Sequence, residues 1–373
     1  MLLQSIFFSV RSFAFVFLCV SLNSFALPFA SSFVSLGSYN FPQDISSNGN
    51  VVVGFDNRGI SNSFKYENGN LSSLNVNGRA IAVSGDGSTI VGVSNIPNGG
   101  FIYTDEAINY HGSNDAYFGF TSTNLDGTIS VGSRRPAVSQ SPLKPIKITN
   151  GVMESLPYLL GGNNWATITD ISDDSSVLVG QSDSINGSEP YAIINGLVSS
   201  LGDLPGGRVY GQGFAVSADG NFIVGSSEIE FEGEIASEAF IYKNNEMFGL
   251  GDFDGGLFES RGYGVSNNGI AVGFGRIDDG IRASFWEKDS YQPLFIEEIL
   301  SNSGIDVESQ GWILTQATGI SSNGDTVIGF GTRNGIPEGW MMTLTPVPLP
   351  AGIYLFLSGL VGLVGVKFRG RNA

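Results

Sequence analysis

Residues 216–225 read VSADGNFIVG, and the pattern of this phrase recurs through the chain. It consists of an apolar residue, Ser, any residue, Asp-Gly, and a short apolar run that ends in Val-Gly. Asp-Gly favours a tight β-turn, and the apolar run after it favours a buried strand. We therefore predict a hairpin with a type I′ turn, in which both central residues have positive φ. The closing Gly is expected to end the strand or to allow close approach of another backbone segment.

Seven copies of this phrase follow one another at an average spacing of about 46 residues. The fourth copy has Ser175 in place of the turn Gly, the sixth is one residue shorter, and the third has Thr123-Asn124 in place of the apolar residue and Ser. A sustained internal period of this size indicates a repeat architecture with one structural unit per copy. The other six copies occupy residues 45–54, 83–92, 123–132, 171–180, 265–273 and 320–329.

Each copy also predicts further strands after its hairpin. A large apolar residue follows 9 to 15 residues after the closing Gly, and we interpret it as core packing between units rather than as a ligand-stacking residue. These residues are Phe64, Phe101, Ile146, Tyr191, Phe240, Phe285 and Trp340. A fourth element is predicted in five copies, at residues 71–75, 152–156, 197–204, 247–253 and 293–297.

The repeats are offset with respect to the chain ends. The seventh copy has no fourth element, whereas an unpaired FVSLG at residues 33–37 precedes the first copy. An N-terminal strand that completes the last unit would remove the exposed edges of the fold. We therefore predict an all-β, seven-bladed β-propeller over residues 27–346. An open β-solenoid is the structural alternative.

The phrase set resembles the HAF-type extracellular repeat family of bacteria. The best matches are Ala239-Phe240-Ile241-Tyr242 and the Leu-Gly-Asp stretches at residues 201–207 and 250–256. The His that precedes Ala-Phe in that family is absent here, and Glu238 stands in its place in the best copy. The resemblance covers most of residues 33–343. It implies an extracellular protein and no particular chemistry.

Composition excludes several classes of function. The chain has 35 acidic and 18 basic residues, a net charge of −17, so no basic surface for a nucleic-acid backbone is expected. It contains one Cys, Cys19, and one His, His111, which excludes an intrachain disulfide and a zinc site with several Cys or His ligands. Ser-His-Asp chemistry would depend on His111, which we place in a loop and regard as incidental.

The first 26 residues are predicted to be a secretory signal peptide. Arg11 precedes an apolar run at residues 12–22. Ser24 and Ala26 are the small residues expected before a cleavage site that follows Ala26. A transmembrane anchor is the alternative, but the apolar run is too short to cross a bilayer core.

The C-terminus has three parts: a VPLPA motif, an apolar run at residues 352–366 and a basic tail. The motif residues are Val347, Pro348, Leu349, Pro350 and Ala351. This end resembles the PEP-CTERM sorting signal in its VPLPA variant. The resemblance implies a Gram-negative bacterium that makes exopolysaccharide, an exosortase-type sorting enzyme as partner, and a transmembrane helix that holds the protein in the membrane before processing. A simple tail anchor is the alternative.

The sequence assigns no catalytic, cofactor-binding or metal-ligating residue. Adjacent acids such as Asp173 and Asp174 face opposite ways in a strand, and Asp252 with Asp254 lacks the further ligands of a calcium loop. We expect an exported, non-enzymatic interaction module of the cell surface or extracellular space, associated with exopolysaccharide. The alternative is a secreted polysaccharide hydrolase or lyase that uses carboxylates on a propeller face.

Overall fold

The computed structural model describes residues 28–345 except 60, 106, 113, 138–140 and 291, and this part of the chain is almost entirely β. The predicted cleavage site after Ala26 and the predicted sorting motif that begins at Val347 lie outside the described residues. Among the residues described, no helix has the length and apolar character needed to cross a membrane.

The strands occur in short antiparallel groups that follow the repeats. After the N-terminal β1 (Phe29–Ser38), the first three repeats contain β2 (Asn40–Ile45), β3 (Val51–Asp56), β4 (Asn62–Glu67), β5 (Asn70–Val83), β6 (Thr89–Asn95), β7 (Asn98–Thr104), β8 (Ala107–His111), β9 (Tyr117–Thr123), β10 (Ile129–Arg135), β11 (Lys144–Thr149) and β12 (Val152–Ser155). The next three contain β13 (Gly161–Ile171), β14 (Val177–Ser184), β15 (Ser188–Ile194), β16 (Leu197–Ser200), β17 (Gly206–Val216), β18 (Ile223–Phe231), β19 (Glu234–Lys243), β20 (Glu246–Gly249), β21 (Arg261–Val265), β22 (Ala271–Ile277), β23 (Gly280–Trp286) and β24 (Leu294–Phe295). The last contains α1 (Ile296–Asn302), a 3-10 turn (Glu308–Gln310), β25 (Trp312–Ile320), β26 (Thr326–Arg333) and β27 (Ile336–Thr345).

Each repeat folds as an up-and-down antiparallel sheet, as in β9–β10–β11–β12. The long β5 pairs with β4 through its first half and with β6 through its second half, so it serves two repeats. The last repeat supplies only β25, β26 and β27, and β1 pairs antiparallel with β27 as its fourth strand. The prediction that the N-terminal strand completes the last unit is therefore confirmed. Successive sheets of this kind around a central cavity are the architecture of a β-propeller.

The predicted fourth elements are also confirmed. They form part of β5 and the strands β12, β16, β20 and β24, although the last two residues of the element predicted at 293–297 lie in α1 (Ile296–Asn302). The second repeat has a fourth strand as well, β8, which the sequence pattern missed. His111 is the last residue of β8 rather than a loop residue, and its ring packs edge-on against Phe120 with centroids 5.5 Å apart. The placement of His111 in a loop was therefore wrong.

The turn in each phrase is built around a buried side chain. In the fifth copy the Ser217 hydroxyl donates to Asp219 Oδ1 at 2.7 Å and accepts the Phe222 N–H at 3.0 Å. The same pair of bonds recurs in every copy that has the serine, and in the third copy Asn124 Oδ1 accepts the equivalent N–H at 2.9 Å. The serines are at most 1% exposed, since their hydroxyls are satisfied internally.

The turn type differs from the prediction. The Ser217 carbonyl accepts the Gly220 N–H at 2.8 Å, and only Gly220, with φ +74°, has a positive φ in this turn. Such a four-residue turn with Gly at its fourth position belongs to the type I class, so the type I′ prediction was wrong. Ser175 takes the left-handed conformation in the fourth copy, with φ +63°.

The closing Gly of each phrase lies inside the second strand, so the prediction that it ends the strand was wrong. The prediction of a close approach is confirmed, because a Cβ on Gly225 would lie 2.0 Å from the Gln212 carbonyl oxygen in β17. The equivalent distance is 1.8 to 2.2 Å at Gly54, Gly92, Gly132, Gly180, Gly273 and Gly329. On the other side Gly225 pairs with Phe240 in β19, whose ring fills the space that a side chain would take.

The large residues of the third strands form the core, as predicted. Each is at most 2% exposed: Phe64, Phe101, Ile146, Tyr191, Phe240, Phe285 and Trp340. Their clusters join adjacent repeats, as where Phe240 packs with Val179 and Ala192 of the preceding repeat. Apolar contact between sheets therefore holds neighbouring repeats together.

We predict that Gly225→Ala destabilises the protein by about 3 kcal/mol or more, because the new methyl group collides with a backbone carbonyl that cannot move without breaking the sheet. Urea denaturation measures the loss. Gly233→Asn is the control, since no atom lies within 4 Å of its Cβ position and Asn tolerates the φ of +85°. We expect it to stay within about 0.5 kcal/mol of the wild type. Equal effects of the two changes would contradict the close-approach explanation.

Candidate functional site

A ring of hydrogen-bonded turns surrounds one end of the fold. The residue between Ser (or Asn124) and Asp/Asn in each phrase is here called the ring residue, and the seven are Ser47, Gly85, Leu125, Asp173, Ala218, Asn267 and Ser322. Every turn donates an N–H to the next turn, and the last turn donates to the first, with distances of 2.8 to 3.2 Å. The links run from Ser47 N to Gly85 O, Asp86 N to Leu125 O, Leu125 N to Asp173 O, Asp173 N to Ala218 O, Asp219 N to Asn267 Oδ1, Asn267 N to Ser322 O and Ser322 N to Ser47 O.

Side chains close the middle of this turn ring. The Ser47 hydroxyl of the first repeat donates to Asp173 Oδ2 of the fourth repeat at 2.8 Å, across the two turns between them. A Cβ on Gly85 would lie 2.6 Å from Asp173 Oδ1 and 2.8 Å from Leu125 Cδ1 and Ser47 Oγ. The four side-chain positions therefore converge at the centre, and only glycine fits at position 85.

The turn ring is the floor of a central cavity of about 550 Å³. In the described part of the chain, the first strand of every repeat contributes to its wall: β2, β5, β9, β13, β17, β21 and β25. The volume is within the ~300–1,000 Å³ range usual for small-molecule sites. Three carboxylates line it, from Asp44, Asp170 and Asp173, and no Lys, Arg or His of the described residues does.

Two of these carboxylates tie neighbouring repeats together. Asp44 accepts the N–H of Ile45 at 2.8 Å and that of Val83, in the next repeat, at 2.9 Å. Asp170 accepts the Val216 N–H of the next repeat at 2.8 Å and the Ser122 hydroxyl of the preceding repeat at 2.6 Å. Both oxygens of each carboxylate are therefore engaged by the wall.

Threonine hydroxyls make similar ties beside them. Thr121 donates to the Ile168 carbonyl at 2.8 Å, and Thr169 donates to the Gly213 carbonyl at 2.7 Å. Thr318 of the last repeat donates to the Pro42 carbonyl of the first at 3.0 Å. These bonds place hydroxyl oxygens on the cavity wall with fixed orientations.

Burial in the wall changes the protonation of the carboxylates. Burial is the main cause that raises the pKa of Asp44 to about 7, and the nearby Asp170 charge adds to it. Burial also raises the pKa of Asp170 to about 6, against the hydrogen bond from Ser122. The pKa of Asp173 is raised for the same reason. All three shifts follow from placing several carboxyl groups in one partly dehydrated cavity without a cation.

Aromatic rings line the cavity at the end away from the turn ring. Phe41 stands edge-on to Phe330, with centroids 5.1 Å apart, and stacks with Phe55 at 5.5 Å. The exposed Arg79 guanidinium lies 4.7 Å from the centre of the Phe55 ring. This mouth of the cavity therefore presents apolar ring faces, whereas the wall and floor present hydroxyl and carboxyl oxygens.

The acids singled out from the sequence do not form a second site. Asp252 accepts backbone N–H groups of Phe253, Glu259 and Arg276 at 2.6 to 2.9 Å, so it organises a loop. Among the described residues, no group of three or more His, Cys, Asp or Glu side chains is placed to hold a metal ion. Asp173 lies on the cavity floor, whereas its neighbour Asp174 is engaged in its own turn. Both residues lie in a turn, so the expectation from opposite faces of a strand does not apply to them.

Sequence reasoning missed Asp44 and Asp170 as cavity residues. Each directly precedes the apolar residue that opens its phrase. In four of the other copies this preceding residue is Ala82, Ala215 or one of two glycines. An acid at an otherwise small position was the signal that could have identified them.

No protein-family model and no curated protein matches the chain. Among solved structures, it is similar to a Mycobacterium tuberculosis puromycin-hydrolyzing peptidase, with a TM-score of 0.53 and 14% identity over 86% of this chain and 55% of that one. The β-propeller domain of the trilobed protease from Pyrococcus furiosus gives 0.47 and 10% identity, over 83% and 86% of the two chains. TolB from Acinetobacter baumannii gives 0.44 and 14%, over 68% and 63%. The chain thus spans less than two thirds of the peptidase and of TolB, and the likeness concerns the fold alone.

The raised pKa values predict a stability that falls as pH rises. Because the folded-state pKa values of Asp44 and Asp170 lie above the ordinary value of 3.8, the folded protein binds these protons more tightly than the unfolded chain. The contribution of these two carboxyl groups to the free energy of unfolding is complete below about pH 4 and is lost as pH rises through 6 and 7. The loss is at most about 1.4 kcal/mol per pH unit for each group.

Urea denaturation between pH 4.5 and 7.5 tests this dependence. Asp44→Asn and Asp170→Asn should each flatten the slope of unfolding free energy against pH, and the exposed Asp254→Asn should leave it unchanged. A slope that is the same in all four proteins would refute the assignment.

Proposed function

We propose that this chain is an exported, non-enzymatic β-propeller module that binds a neutral, hydroxyl-rich ligand of the exopolysaccharide matrix in its central cavity. In this proposal the seven repeats are seven blades, closed by β1 on the last. The observation that carries the proposal is the lining of the cavity, which combines an aromatic mouth with a hydroxyl- and carboxylate-lined wall.

The chemistry of the lining favours a neutral sugar. The rings of Phe41 and Phe330 offer apolar faces to the C–H face of a sugar, and the hydroxyl oxygens and the Asp173 carboxylate below them accept hydrogen bonds from sugar hydroxyls. An acidic sugar would bring a negative charge towards Asp173 with no basic residue in the lining to compensate it. A neutral glycan avoids this repulsion.

The hydrogen bonds of Asp44 and Asp170 disfavour catalysis by these two groups. A general acid or base must reach the reacting group, but both oxygens of each carboxylate already accept hydrogen bonds from the protein. The second candidate, a polysaccharide hydrolase or lyase, is favoured by one observation: three carboxyl groups with raised pKa values line the same cavity.

Export and sorting form the second part of the proposal. It rests on the predicted signal peptide that ends at Ala26, on the VPLPA motif from Val347 to Ala351 and on the resemblance to HAF repeats. An exosortase-type enzyme of a Gram-negative host would process the C-terminal signal after translocation. The protein would then lie at the cell surface or in the extracellular matrix.

We predict that the protein purified from its host is retained by the neutral fraction of the host's exopolysaccharide. Phe41→Ala should weaken binding about tenfold, or ~1.4 kcal/mol, because it removes a ring from the mouth. Phe231→Ala is the matched control, since Phe231 packs against Phe258 outside the cavity lining. Absence of retention would contradict the proposal. New reducing ends formed by the wild type but not by Asp44→Asn or Asp170→Asn would establish the hydrolase instead.

Removal of the signal peptide and cleavage of the sorting signal would together set the mass of the mature protein. Intact mass and C-terminal peptide mapping of the protein from its host should give a chain that begins after Ala26 and ends within the VPLPA motif. A chain that still carries Arg371 would contradict processing and favour the tail anchor.

A further inference from the structure

The central cavity has one closed end and one open end. At the closed end, the hydrogen bond from Ser47 to Asp173 spans the turn ring, and Leu125 fills the space beside Gly85. The Ser47–Asp173 bond divides the opening of the turn ring in two, and the contacts at Gly85 fill one part, so the turn ring is too narrow for a sugar chain to pass. The cavity is therefore a socket that a ligand enters and leaves through the aromatic mouth.

The lining of the socket changes from aromatic at the mouth to polar at the floor. Near the mouth, Phe41 and Phe330 expose ring faces, while Gln316 from β25 adds an amide. At the floor, Ser47, Ser322 and Asp173 expose oxygens, with the backbone of Gly85 between them. A ligand that fits has a hydroxyl-rich group at its tip and an apolar face behind the tip.

From this geometry we infer that the site recognises the end of a neutral glycan chain rather than the interior of a chain. This inference rests on the proposed function and specifies which part of the glycan is bound. A chain interior must enter and leave a site along two directions, and the closed turn ring provides only one. A chain end satisfies this geometry, because its last sugar can reach the floor while the next one contacts the mouth.

Competition with sheared polysaccharide tests the inference. The neutral exopolysaccharide of the host is broken by sonication into shorter chains of unchanged composition, and each preparation competes with an immobilised sample for the full-length protein. Shearing multiplies the ends per gram and leaves the interior sugars per gram almost constant. End recognition predicts that the half-inhibiting mass concentration falls in proportion to mean chain length.

The outcomes separate this inference from the proposed function. A half-inhibiting mass concentration that does not change on shearing would overturn end recognition and leave polysaccharide binding intact. No competition and no retention at any chain length would overturn both. Neither comparison depends on a variant that folds poorly.

A substitution at the floor tests whether the stronger inhibition by sheared chains arises there. Ala218→Phe adds a ring next to Asp173 on the turn ring, which should shorten the socket and abolish the advantage of sheared chains. Asn50→Phe adds the same ring on an exposed turn position outside the cavity and should keep that advantage. Retention of the advantage by Ala218→Phe, with a native circular dichroism spectrum, would contradict binding at the floor.

Discussion

The closed ring of hydrogen bonds between turns is the constraint on which the rest of the structure depends. Each phrase buries a serine or Asn124 to hold its turn, and the turn then presents one residue to its neighbours. Because the last turn donates to the first, from Ser322 to Ser47, a substitution that distorts one turn would disturb hydrogen bonds around the whole ring. The pairing of β1 with β27 closes the same circle at the periphery.

The regular parts of the phrase build the scaffold, and its irregular positions give the cavity its chemistry. The serine, the turn glycine and the closing glycine barely vary, because each is required by a buried bond, a positive φ or a close backbone approach. The ring residue differs between copies, and the residue before the opening apolar position is small in five copies and Asp in the other two. At those positions the chain places Asp173 on the floor and Asp44 and Asp170 in the wall.

The repeats, the core aromatics and the offset closure could be predicted from sequence, because local pattern dictates them. The turn type could not, since Asn-Gly and Asp-Gly suit more than one turn, and the bond from Ser217 to Asp219 selects among them. Nor could the cavity, because the partner of Asp44 is a backbone N–H in the next repeat and the partner of Ser47 lies three repeats away. Such contacts depend on how repeats are arranged around an axis, which one copy does not specify.

Amide hydrogen exchange at the turns tests the closed ring most directly. The N–H groups of Ser47, Leu125, Asp173, Asn267 and Ser322 lie in turns near the surface, where open turns exchange fast. A closed ring predicts that they exchange together and slowly, like the amides of the innermost strands. Fast exchange at Ser322, which links the last repeat to the first, would show that the circle is open and would contradict the account.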